Sequence, residues 1–156
     1  MHFVIFTKSN YNKPRQQKYP TVSGHCKGHR QGKVKRKMKI ETHNINDIKI
    51  AEITSDETII TTSQDGLDLL GNLYYQGFDR IVLNEKNITP NFFDLKTGIA
   101  GEILQKFSTY RVRLAIVGDF SKYTSKSLTD FIYESNKGRH INFINSTTEA
   151  LKILSA

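Results

Sequence analysis

Val112-Arg113-Leu114-Ala115-Ile116-Val117-Gly118 decides the fold. It is the most strand-like run in the chain and takes a central place in a sheet. Arg80-Ile81-Val82-Leu83-Asn84 repeats the pattern in short form, with apolar side chains on consecutive positions, as expected of a strand covered on both faces. Between the two runs lies a helical pattern. From Gly98 onward Ile99, Ala100, Ile103, Leu104 and Phe107 form one apolar stripe, with Glu102 and Lys106 spaced for an i,i+4 pair on the outer face.

The same alternation continues on both sides. Downstream, Ser125 opens a helix with Leu128, Phe131 and Ile132 inward, ending near Gly138, and residues 141–145 form a strand. Ser146-Thr147-Thr148-Glu149 is a capping-box pattern for a last helix that turns Leu151 and Leu154 inward. Upstream, residues 48–53 alternate as a half-buried strand, and the β-branched run of residues 58–62 predicts a second strand after a Ser55-Asp56-Glu57 turn. Thr62 or Ser63 then caps a helix with Asp65 and Asp68 in its first turn; its stripe is Leu67, Leu70, Leu73 and Tyr74, and Gly77 ends it. The order is β-β-α-β-α-β-α-β-α. This predicts an α/β sandwich, a mostly parallel central sheet with packed helices joined by right-handed crossovers, as a single domain over residues 38–156.

Charge is distributed unevenly. The net charge is +8, yet residues 1–37 carry ten Lys or Arg and no acid, leaving 13 basic against 15 acidic side chains in residues 38–156. The basicity therefore belongs to the tail and says little about the folded part. Residues 1–37 are polar, basic and poor in large aliphatic side chains, so they read as a disordered basic tail. Met38 stands where the composition changes, which marks residues 1–37 as an over-extended start or a dispensable extension; a chain beginning at Met38 is expected to keep its melting midpoint. His25-Cys26-Lys27-Gly28-His29 lacks the second ligand pair of a structural zinc site. Lys33-Val34-Lys35-Arg36-Lys37 offers nucleic acid only weak, non-specific, salt-sensitive contact. A lone Cys26 excludes an internal disulfide framework and fits a reducing cytoplasm, and no apolar run reaches the about eighteen residues of a membrane span.

Candidate functional residues concentrate in Asn91-Phe92-Phe93-Asp94-Leu95-Lys96-Thr97-Gly98-Ile99-Ala100-Gly101-Glu102-Ile103-Leu104. Thr97 stands where a helix begins, so its hydroxyl can cap free backbone N–H groups, and the same groups can hold an anion or phosphoryl group. Gly98 and Gly101 permit close helix–sheet packing. Asp119 follows the central strand, where ligands of open α/β sheets gather, and Asp94 belongs to the same sheet edge. Asp119 also reads as a turn former. No nucleophile–base pair accompanies the two carboxylates, His140 opens a strand at the opposite edge, and Lys137 and Arg139 complement the end of a helix. Gly98-Ile99-Ala100-Gly101 lacks the basic residue of a nucleic-acid GxxG clamp. Phosphate-loop, dinucleotide and metalloprotease signatures are absent, so neither cofactor nor metal is expected.

These motifs carry a resemblance. The run from Phe92 to Phe107, Leu114-Ala115-Ile116-Val117-Gly118-Asp119-Phe120 and the run from Asp130 to Gly138 resemble the bacterial family named domain of unknown function 4180. The resemblance implies no activity. The layout of strand, loop, Asp-x-x-Thr-Gly and helix start also looks like the sulfate-transporter and anti-sigma-factor-antagonist (STAS) domain, in which a hydroxyl before the Gly is a phosphorylation switch. Thr97 would occupy that position, although Asp94 lies three residues before it where the STAS pattern has two. The expected function is a non-catalytic, cytoplasmic regulatory domain binding a protein partner through Asp94, Lys96, Thr97, Gly98, Gly101 and Asp119. The alternative is a small-ligand binder or enzyme using Asp94, Thr97 and Asp119.

Overall fold

The computed structural model describes residues 37–156. The basic tail, the His25-Cys26-His29 group and the basic run up to Arg36 lie outside the described residues. The elements are β1 (Met38–Ile45), β2 (Ile48–Ser55), α1 (Ser63–Tyr75), β3 (Arg80–Asn84), α2 (Ile99–Thr109), β4 (Arg113–Val117), α3 (Lys126–Lys137), β5 (Ile141–Ile144) and α4 (Thr147–Leu154). The α/β class and the order of strands and helices hold. The strand expected over residues 48–53 is β2, but the one expected over residues 58–62 is not formed, and β1 precedes β2 in its place.

The opening pair is an antiparallel hairpin, with Ile45 opposite Ile48 across Asn46 and Asp47. Both loop residues are left-handed, with φ of 54° and 66°, the geometry of a two-residue type I′ turn. Residues 58–62, expected as a strand, make only an isolated bridge between Ile60 and Ile88. Their backbone is instead tied to Asn87, whose carbonyl accepts from Ile59 N (2.8 Å) and Ile60 N (3.0 Å). The buried Asn87 amide also donates to Ser55 O and Glu57 O, each at 2.8 Å. The β-branched side chains Ile59 and Ile60 are there to fill the core, not to extend a ladder.

The five strands lie in the order β1-β2-β3-β4-β5, antiparallel at the first pair and parallel thereafter. Alternation along β2 to β5 divides the apolar side chains between two faces. Ala51, Ile53, Ile81, Leu83, Leu114, Ile116, Ile141 and Phe143 pack with the apolar stripes of α1, α2 and α3. Ile50, Val82, Ala115, Val117 and Ile144 pack with Ala150 and Leu154 of α4. All three crossover helices thus share one face, and α4 alone among the described helices covers the other. Because the strands follow one another without reversal, the sheet has no topological switch point, the place where doubly wound sheets open a ligand crevice.

The helix stripes are near those expected. In α1 the buried residues are Gly66, Leu69, Leu70 and Leu73, while Tyr74 is 46% exposed. The face is rotated because Gly66 lets Ile103 of α2 approach; a Cβ there would lie 2.5 Å from the Ile103 side chain. Thr62 and Asp65 form a full capping box at its start. Among the described residues no ion pair joins Glu102 to Lys106: both are exposed, and such pairs gain too little to hold two mobile chains. In α4 the Ser146 hydroxyl accepts from Glu149 N, and the buried residues are Ala150 and Leu154, with Leu151 partly covered. Its carbonyl end is closed by two arginines that read as plain strand residues. Arg80 Nε donates to Leu154 O (2.8 Å), and an Arg113 terminal nitrogen donates to Ile153 O (3.1 Å). Cations suit that end of a helix dipole.

Candidate functional site

The parallel strands β2 to β5 end together, so the segments leaving Asn84 and Val117 meet at one sheet edge. After β3 the chain makes three single 3₁₀ turns, Glu85–Asn87, Pro90–Phe93 and Leu95–Thr97, before α2. Each is opened by a short polar side chain: Asn84 accepts from Lys86 N, Thr89 from Asn91 N, and Asp94 from Lys96 N (3.1 Å). Pro90 supplies the fixed φ of the middle turn. The segment is therefore built from local turn chemistry rather than from the sheet.

Phe92 and Phe93 point inward and are nearly inaccessible. They begin a chain of aromatic contacts that fills this edge: Phe92 against Phe93 at 5.0 Å, Phe93 stacked on Tyr123 at 4.9 Å, Phe120 edge-on to Phe143 at 5.3 Å. Phe93 also meets Phe120 at 6.0 Å, which joins the loop after β3 to the loop after β4. The space between the loops carrying Asp94 and Asp119 is thus occupied by rings.

The polar residues sit above this plug. Asp94, Lys96 and Thr97 are exposed. Thr97 was expected to cap α2, but Gly98 occupies the N-cap position and α2 has no side-chain cap bond. Gly98 is left-handed (φ 81°), so the chain swivels there and Thr97 ends the preceding turn. Its hydroxyl donates toward Asn91 O (2.7 Å) and Asp94 O (2.9 Å) and accepts a longer bond from Ile99 N (3.3 Å). Glu102 places negative charge in the first turn of α2, which already complements the dipole and disfavours an anion.

The two glycines differ. Gly101 was expected to permit close packing, yet it is exposed and a Cβ there would meet nothing within 4 Å. We expect Gly101→Ala to stabilise the protein by about 0.5–1 kcal/mol, the helix-propensity gain. Gly98→Ala should instead cost about 1–2 kcal/mol, because an L side chain is strained at positive φ. Urea unfolding of the two variants gives shifts of opposite sign.

Asp119 closes its own turn. Its carboxylate accepts from Ser121 Oγ (2.6 Å) and Ser121 N (3.1 Å), and these bonds hold its pKa below the ordinary carboxylate value. A depressed folded pKa means that the turn is fully supported at neutral pH and loses that support as the carboxylate protonates in acid. Asp94 and Asp119 therefore share an edge, but each is engaged locally. The carboxylate that reaches inward there is one the sequence did not single out: Glu85 is buried and pairs with Lys122, whose pKa is raised by that bond. Only its position after a buried strand could have flagged it.

At the opposite edge lies an open groove of about 590 Å³, lined in part by Asp47, Lys49, Tyr74, Phe78, Asp79 and Arg80. Its two cations are already engaged: Arg80 pairs with Asp79 (3.1 Å) and Lys49 lies over the Phe78 ring (4.8 Å). His140 is at this edge too, its carbonyl accepting from Leu114 N, and the Arg139 carbonyl accepts from Arg113 Nε. Lys137 pairs with Glu134 on α3.

The arrangement defines an α/β protein with a consecutively ordered sheet, and a carboxyl edge sealed by aromatic rings. Residues 45–154 match the family described as Domain of unknown function (DUF4180), and the chain belongs to that family. A search of curated proteins returned no match.

Proposed function

We propose that this protein is a non-catalytic, cytoplasmic regulatory domain that binds a partner protein through the surface around Asp94, Lys96, Thr97, Gly98 and Gly101, with Asp119 beside it. One observation carries the reading: exposed acid, ammonium and hydroxyl groups stand on internally hydrogen-bonded turns above a filled aromatic core. Rigid turns present side chains to a partner at little entropic cost. The filled edge and the unreversed strand order count against the small-ligand or enzymatic alternative, which needs a cavity between Asp94, Thr97 and Asp119.

Thr97 supplies a switch in this reading, in keeping with the STAS-like layout. Phosphorylation would remove the proton that the hydroxyl shares with Asn91 O and Asp94 O and set a dianion against those carbonyls. The turn over residues 91–97 would have to reorganise. Affinity capture from cells tests this with the wild-type chain, a Thr97→Glu variant and a doubly charge-swapped Asp94→Lys, Lys96→Glu variant. The wild type should recover a partner that both variants lose while their circular dichroism is unchanged. Identical recoveries from all three would overturn the proposal.

A further inference from the structure

We propose that Glu41, His43 and Glu52 form a binding site for a divalent first-row metal ion of the zinc class on the β1–β2 hairpin. The site is distinct from the carboxyl-edge surface and does not depend on it.

The hairpin register brings the three together. Glu41 is the direct cross-strand partner of Glu52, and His43 lies two residues along β1, so all three side chains project from the sheet face shared with α4. Their nearest ligand atoms all lie within 4.8 Å of one another. His43 Nε2 is 2.8 Å from Glu52 Oε2. The left-handed pair Asn46 and Asp47 leaves no freedom to slip this register.

Charge and donor chemistry point to a cation. Two carboxylates directly opposite each other on an antiparallel pair are mutually repulsive. Lys39 pairs with Glu41 and also feels Glu52, but its side chain is 69% exposed, so a metal ion can displace it at little cost. Glu52 is the most covered of the three, at 16%, flanked in the sheet by the fully buried Ile50 on its own face. A tetrahedral ion with ligand bonds of about 2.0–2.2 Å needs donors about 3.3–3.6 Å apart, which rotamer adjustment of half-buried side chains can reach. One imidazole with two carboxylates suits zinc and its neighbours; calcium and magnesium call for larger all-oxygen sets. Three protein donors leave a further position for water or a partner's ligand. A bound ion would also tie edge strand β1 to β2.

The site is visible in the sequence only once β1 is known to be a strand. The Glu-x-His spacing places both side chains on one face only if residues 38–45 form a strand.

The test is titration of the chain with zinc by calorimetry and with cobalt by visible absorption. Because the full chain also contains His25, Cys26 and His29, the reference protein carries His25→Ala, Cys26→Ser and His29→Ala. That protein should bind one ion per chain and give a cobalt spectrum of low coordination number. Adding His43→Ala or Glu52→Gln should weaken zinc binding at least about tenfold with circular dichroism unchanged. Lys39→Ala, which removes the competitor, should strengthen it, and this variant serves even if loss of His43 unfolds the hairpin. Zinc affinity unchanged by His43→Ala, or no saturable binding by the reference protein, would overturn the proposal.

Discussion

Phe92→Ala is expected to lower the unfolding free energy by about 3–5 kcal/mol, read as a fall in the urea midpoint with an unchanged slope. Phe92 is 2% exposed and packs edge-on against Phe93 with the apolar stripes of α1 and α2 in the same cluster. Removing the ring leaves a cavity that the surrounding 3₁₀ turns cannot close, because their backbones are fixed by the Thr89, Asp94 and Thr97 side chains. The exposed residues two to four positions later should matter less: Lys96→Glu should leave the midpoint almost unmoved, and Asp94→Lys should cost only its cap bond to Lys96 N, about 0.5–2 kcal/mol. That split separates a structural layer from a presenting layer within a few residues. A loss below about 1 kcal/mol for Phe92→Ala would mean that the rings do not seal the edge.

Gly118→Ala is the second large effect, with an expected cost of about 2–4 kcal/mol. A Cβ at this position would fall 2.5 Å from Glu85 Cβ and 2.9 Å from a Glu85 carboxylate oxygen. The first contact is with an atom fixed to the backbone, so a rotamer change cannot relieve it. Gly118 also donates to Ile144 O at 2.9 Å, which resists a compensating shift of the strand end. The prediction is specific about rescue. Glu85→Gly should restore part of the loss when combined with Gly118→Ala, whereas Glu85→Ala, which keeps the clashing Cβ, should not. Equal costs in the two double variants would contradict the placement of Glu85 beneath the β4 end.

Most of the architecture was legible because the interior strands announce themselves. The runs at residues 81–83 and 114–117 are apolar on consecutive positions, as a strand covered on both faces requires. The stripe of α2, the start of α3 at Ser125 and the turn-forming Asp119 were equally readable. The hairpin was legible only in its second strand, residues 48–53. Its turn is Asn46-Asp47 rather than the more telling Asn-Gly, and β1 alternates polar and half-buried residues, so the β-branched run at residues 58–62 drew the assignment instead. What that run lacks is a neighbour to pair with, and this depends on Asn87, some thirty residues away in sequence. Thr97 lies one residue before the N-cap, Gly98, although its hydroxyl still accepts from Ile99 N at the start of α2. Gly98, and not the β-branched Thr97, takes the left-handed conformation, and this leaves most of the hydroxyl's bonding to the turn before it. At Gly101 the error was one of direction: the residue lies on the solvent side of a helix whose buried face runs through Ala100, Ile103 and Phe107.

The carboxyl edge thus combines a sealed interior with a polar exterior, which suits recognition of a surface better than enclosure of a substrate. Hydrogen–deuterium exchange of the full chain, alone and bound to the captured partner, tests this most directly. Added protection should be confined to residues 91–104 and the adjoining turn after β4, and should be weakened by the Asp94→Lys, Lys96→Glu pair. Protection at the opposite sheet edge around Tyr74 and Arg80, with residues 91–104 unchanged, would contradict it.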